Sequence, residues 1–81
     1  MKRTVGGSFD YGLVKESSVT IGMFDKDDII VRELLNESNV AKGDHDFDFE
    51  FDATAFNDDV YYIRLIIDGR IKLGYTMEMM N

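Results

Sequence analysis

Residues 44–52 read Asp44-His45-Asp46-Phe47-Asp48-Phe49-Glu50-Phe51-Asp52, and the periodicity of this run decides the fold class. His45, Phe47, Phe49 and Phe51 fall on one side, with Asp44, Asp46, Asp48, Glu50 and Asp52 on the other. Side chains of a strand alternate faces, so the run is a half-buried strand with one acidic face in water. On a helix the same phenylalanines would spread around the circumference and share no common face.

The same repeat of two recurs on either side. Upstream, Val19, Ile21 and Met23 share a face, and Ser8 to Leu13 reads as a short first strand. Downstream, Tyr61, Ile63, Leu65 and Ile67 face one way and Tyr62, Arg64 and Ile66 the other, which predicts a central strand with two fairly apolar faces. Asp68-Gly69 supplies the residue types of a tight hairpin turn. The returning strand over residues 70–80 carries Ile71, Leu73, Tyr75, Met77 and Met79 in register. Residues 29–36 fit two readings. Ile30 with Leu34 and Val31 with Leu35 match helical spacing, while the short length and β-branched start favour a strand that leaves irregularly through Asn36-Glu37-Ser38-Asn39. Gly43 marks the turn into the phenylalanine strand. About six or seven short strands at roughly ten-residue spacing predict an all-β antiparallel sandwich.

Composition bounds the rest. At 81 residues the chain is one domain, 1–81, since a second would have no core. A domain of this size buries only about 60% of the surface its unfolded chain exposes. It has no Cys, no Pro and no Trp, so neither disulfides nor a four-Cys zinc site can brace it. Nine Lys and Arg against 16 Asp and Glu give a net charge of −7, which repels phosphate and argues against nucleic acid as a partner. No apolar run approaches the roughly 18–20 residues of a membrane span. The basic start Met1-Lys2-Arg3-Thr4 is followed by Gly6, Gly7, Ser8 and Asp10, where a signal peptide needs apolar residues.

The residues between Phe9 and Met80, taken in order, resemble the immunoglobulin-like β-sandwich of two related settings: the C-terminal sorting domain of the type IX secretion system, and the immunoglobulin-like domain of the flagellar hook-capping protein. Phe9-Asp10-Tyr11-Gly12-Leu13 followed by Glu16-Ser17-Ser18-Val19-Thr20-Ile21 looks like the family's opening hairpin. Met23-Phe24-Asp25, Val31-Arg32-Glu33-Leu34, Gly43-Asp44-His45, Phe49-Glu50-Phe51-Asp52-Ala53 and Val60-Tyr61-Tyr62-Ile63-Arg64-Leu65 follow the family's line of sequence in turn. The resemblance covers about seventy of the 81 positions. The chain departs from the family at Asp59, where a Gly is usual, and at Lys26-Asp27-Asp28, where Gly-Arg or Gly-Gln is usual. It also lacks the Pro-rich lead-in, and its end, Met77-Glu78-Met79-Met80-Asn81, lacks paired lysines.

The resemblance implies a non-catalytic secretion and surface-sorting module recognised by an outer-membrane export apparatus, with the information in residues 69–81. Partner recognition then falls on Lys72, Met77, Met79 and Met80, since methionine makes a soft, adaptable contact surface. The alternative is a structural protein–protein contact module of hook-capping type, or a stand-alone partner-binding sandwich. A carbohydrate-binding accessory sandwich is disfavoured by the absence of Trp. If the chain is the C-terminal part of a larger precursor, the expected destination is the cell surface or the medium. If Met1 is a native start, it is the cytoplasm.

Other candidate sites read as structural. The acidic run 44–52 and the turn Asp25-Lys26-Asp27-Asp28, with Asp58-Asp59, invite calcium. Calcium wants about six to eight converging oxygens, whereas alternate residues on one strand face stand about 7 Å apart. His45 has no nucleophile motif near it, so neither catalysis nor a cofactor is expected. Tyr61 is expected to bury its ring and bond its hydroxyl back to an upstream turn, as in the tyrosine corner of sandwich domains. Gly43, Leu65 and Gly69 complete the structural set.

Overall fold

A computed structural model describes residues 4–52, 54 and 60–78. Among them the chain forms strands β1 (Thr4–Leu13), β2 (Ser17–Phe24), β3 (Ile30–Val40), β4 (Gly43–Asp52), β5 (Val60–Ile67) and β6 (Arg70–Glu78). No described residue is helical, and no helix is long and apolar enough to cross a membrane. β1 and β4 form a two-stranded antiparallel sheet, which faces a four-stranded antiparallel sheet in the order β3-β2-β5-β6. The result is the expected all-β sandwich, with six strands among the described residues.

The core lies where the alternation puts it. Val19, Ile21 and Met23 of β2 and Ile63 and Leu65 of β5 are fully buried, and Phe9, Leu13, Val40 and Tyr61 close around them. The central register sets Ile21 opposite Leu65 and Met23 opposite Ile63. Each such side chain contributes roughly 1.5–3 kcal/mol through removal from water. On the other sheet Phe9 stands opposite Phe47 and Gly7 opposite Phe49. A Cβ at Gly7 would sit 2.9 Å from Phe49 Cζ, so the absence of a side chain there lets the Phe49 ring lie across β1.

Turn chemistry sets the registers. Asp68 and Gly69 both have positive φ, +50° and +81°, the pair a two-residue hairpin needs. Gly43 at φ +124° opens β4 in a conformation that L side chains rarely adopt. Between β2 and β3, the Asp25 carboxylate accepts the amides of Asp27 and Ile29 at 2.8 and 3.0 Å, and the Asp28 amide donates to the Asp25 carbonyl. This is Asx-type turn closure.

Four sequence expectations change. β1 begins at Thr4 rather than Ser8. The opening hairpin does not form: β1 pairs with β4, while β2 pairs with β3 and β5. Both Leu13 and Ser17 point into the core from different sheets, so residues 14–16 arch across the sandwich edge with Val14 94% exposed. The ambiguous segment is a strand, and it runs on to Val40 instead of leaving at Asn36. Its pairing shifts beside Ile21, where Leu35 opposes Ile21 and Glu33 opposes Gly22. Leu34 is the extra residue of that bulge, so Leu34 and Leu35 are both half-buried, which no regular alternation provides. Finally, Ile71 does not share a face with Leu73. Leu65 opposes Leu73 but Ile66 opposes Ile71, so Lys72 is a bulged residue and the alternation of β6 inverts there. Met79 and Met80 lie outside the described residues, as do Asp58 and Asp59.

Candidate functional site

The two sheets differ in width, and the site follows from that. Two strands cannot cover four. β1 lies over the β5–β6 side of the larger sheet and touches β6 through Tyr75, whose ring centroid stands 4.9 Å from that of Phe9. The Tyr75 hydroxyl crosses the gap and donates to the Ser8 carbonyl at 2.7 Å. Beyond Tyr75, toward the Asp68-Gly69 turn, nothing among the described residues covers β6. A cleft of about 730 Å³ opens there between β1, the 14–16 arch, β5 and β6.

Its floor is apolar, formed by Leu13, Ile67 and Leu73, with the buried Leu65 beneath them. Its rim carries Lys15, Asp68, Arg70 and Lys72, with Asp10 at the β1 border. The β6 bulge accounts for the cations. By shifting the register at Lys72 it places Arg70 opposite Ile67, on the inner side of the sheet, where an uninterrupted strand would have put an apolar residue. Re-aiming a side chain is a common consequence of a bulge. Neither Arg70 nor Lys72 is ion-paired with a described residue. The Asp68 carboxylate accepts the Ser18 amide at 2.9 Å, and that bond chiefly holds its pKa below the ordinary carboxylate value, with Lys15 adding to the effect against an opposing desolvation.

Of the residues expected to recognise a partner, Lys72 lines the cleft and Met77 is half-buried against the core, while Met79 and Met80 lie outside the described residues. Tyr61 is buried, and Leu65 has no exposed surface. Arg70, Leu73 and Tyr75 were not singled out by the sequence. The signal that could have found Arg70 was a charged residue flanking a tight hairpin turn, but its inward placement depends on the bulge.

The other candidates resolve into structure. The acidic residues of β4 face water beside Thr4, Gly6, Ser8, Asp10 and Gly12 of β1, with Asp10 directly opposite Asp46. Among the described residues no group of three or more His, Asp or Glu is placed to hold a metal ion. Asp28, in the left-handed region at φ +63°, accepts a hydrogen bond from Arg64 Nη2 at 2.8 Å, and the Arg64 guanidinium stacks over Phe24 and Tyr62. His45 donates its Nε2–H to the Ala41 carbonyl at 2.6 Å and stacks on Tyr11. Burial, and then the carboxylates of Glu37 and Asp46, push the Tyr11 phenol above its ordinary value, so it stays neutral. These contacts close turns and fix edges. No family model, curated protein or solved structure matches the chain.

Proposed function

We propose that the chain is a non-catalytic protein-contact module of immunoglobulin-like type, acting in secretion and surface sorting through its last strand. One observation carries the reading: among the described residues β6 is an edge strand, bonded only to β5, and past Tyr75 its inner face is left open at Leu73. An edge strand with unpaired backbone groups is a template for another chain, and an exposed apolar face beside it marks a contact surface. The strand order supports the immunoglobulin-like part. In such sandwiches the third, sixth and seventh strands pair in one sheet, to which variable-type domains add a further strand beside the third, and the second and fifth lie in the other. Here β2, β5 and β6 pair with β3 added beside β2, and β1 and β4 make the second sheet. The family resemblance between Phe9 and Met80 supplies the sorting part and the export apparatus as partner.

The test is a transplant. Residues 4–81 are appended to a fluorescent reporter carrying an export signal, in a host with a working type IX system. Surface delivery is expected, lost when residues 69–81 are removed. Because that deletion also uncovers β5, the sharper arm is Lys72→Glu, which alters an exposed position and leaves the fold intact while reducing delivery. Retention in the periplasm with the domain folded overturns sorting and leaves a contact module of hook-capping kind.

A further inference from the structure

The free edge of β1 and the uncovered half of β6 form a single feature. Among the described residues β1 is paired with β4 on one side only. In an antiparallel pair, alternate residues direct both backbone groups at the partner and the residues between direct theirs away. Ser8 fixes the phase, because its carbonyl reaches away from β4 to meet the Tyr75 hydroxyl. Gly6 agrees: a Cβ there would lie 3.7 Å from the Cβ of its opposite residue Glu50, the close spacing of a non-hydrogen-bonded pair. By the repeat of two, Asp10 and Gly12 also present their N–H and C=O groups to the open side. Tyr75 caps the edge at Ser8, and past it the edge borders the cleft.

We infer that this cleft takes an extended peptide segment from another protein, added antiparallel to β1 along residues 10–14, with apolar side chains on its inner face and a carboxylate where it passes Arg70 and Lys72. Each element of that description answers a feature of the cleft. Outward backbone groups at Asp10 and Gly12 are satisfied in register only by another strand, and main-chain bonds of this kind supply affinity in strand addition. The floor, open chiefly at Ile67 and Leu73, accepts the apolar side chains that an added strand turns inward at every second residue. Three of the chain's nine Lys and Arg, in a protein of net charge −7, stand on this one rim. Arg70 and Lys72 have no ion pair with a described residue and face the added strand where its carboxylate would pass. A second copy is a poor occupant, since it brings the same net charge of −7 and sets its own Asp10 along the shared edge. The inference goes beyond sorting, since a module that fails to export a reporter can still bind a strand here.

The probe is a capped peptide of about seven residues, long enough at roughly 3.3 Å per residue to run the open edge. It reads glutamate, then threonine and valine alternating, so that the glutamate and valines face inward. Binding to the full chain is followed by amide chemical shifts and by anisotropy of a labelled peptide. The expected shifts centre on residues 10–14 and 70–73. Replacing the peptide's glutamate with glutamine weakens binding by about tenfold, because a charge-assisted bond is roughly twice as strong as a neutral one. Arg70→Gln with Lys72→Gln abolishes that difference. The same spectra report that the variant is folded. Absence of binding, equal binding of both peptides, shifts confined to the free edges of β3 or β4, or self-association that excludes the peptide each overturns the inference.

Discussion

β5 and β6 are neighbours in one sheet and carry similar apolar alternations, yet their fates differ. Ile63 and Leu65 are wholly buried, while their direct partners Tyr75 and Leu73 keep 48% and 46% of their surface exposed. The inward residues of the two strands are alike in type, Ile63 and Leu65 against Tyr75 and Leu73. The difference lies across the sandwich, where Phe9 and Leu13 of β1 cover β5 and the smaller sheet ends before it covers β6. An apolar stripe on a strand records what the strand can bury. Whether it does so depends on the width of the sheet opposite.

Truncation measures that difference most directly and has the largest expected effect. Leu65→Ala should cost about 3 kcal/mol, since it opens a cavity in a core with no exposed surface. Leu73→Ala should cost about 1 kcal/mol or less, because the half-exposed side chain has neighbours on one side only. Urea midpoints with unchanged slopes are the measurement. Equal costs would break the comparison, because they would mean that something covers β6 in solution. A larger Leu73→Ala cost in the presence of the strand peptide would sharpen it.

The same contrast explains how much the sequence discloses. Periodicity of two located every strand but β3, whose segment also matched helical spacing, and the buried faces of β2 and β5 followed residue by residue, because each is paired on both sides. The hairpin at Asp68-Gly69 was legible because few residue types accept two consecutive positive φ values. The misreadings gather at edges and bulges. Leu34 and Leu35 mimic a helical repeat because a bulge buries neighbours, and Ile71 joins the wrong face because Lys72 is inserted into the register. A bulge is chosen by pairing between strands, so its position is not written in the local alternation. The cleft was illegible for the same reason: it is made of Arg70 turned inward by a bulge, and of a missing neighbour beside β1.

A middle-sized effect separates the two tyrosines. Tyr61 is buried and buried tyrosine hydroxyls generally find a partner, so Tyr61→Phe is expected to lower stability by about 1 kcal/mol, read as a fall in urea midpoint. Tyr75→Phe should cost about 0.5 kcal/mol, since water replaces the hydroxyl at the carbonyl of the exposed Ser8. Its informative readout is hydrogen exchange along β1, which should quicken beside Ser8 when the strap between β6 and β1 is lost. Unchanged exchange there would mean that Tyr75 does not hold the free edge.

The smallest effect concerns the turn that joins the contrasted strands. Asp68 accepts the Ser18 amide while its own amide donates to the Ser18 carbonyl, so the β5–β6 hairpin is tied to the start of β2. That bond favours the carboxylate and lowers its pKa in the folded state. A group whose folded pKa is depressed binds its proton more readily when unfolded, so its contribution is complete above the unfolded value, about 4. It is lost as the pH falls through the lower folded value. Asp68→Asn tests this without disturbing the turn, because asparagine tolerates a positive φ and keeps an oxygen for the Ser18 amide. The difference in urea midpoint between the parent chain and the Asp68→Asn variant should be largest near pH 6 and shrink below about pH 4. Taking a difference removes every pH trend that the two chains share. A difference that does not change with pH would show that the Ser18 amide holds Asp68 by geometry alone, and that the hairpin carrying the open strand is indifferent to charge.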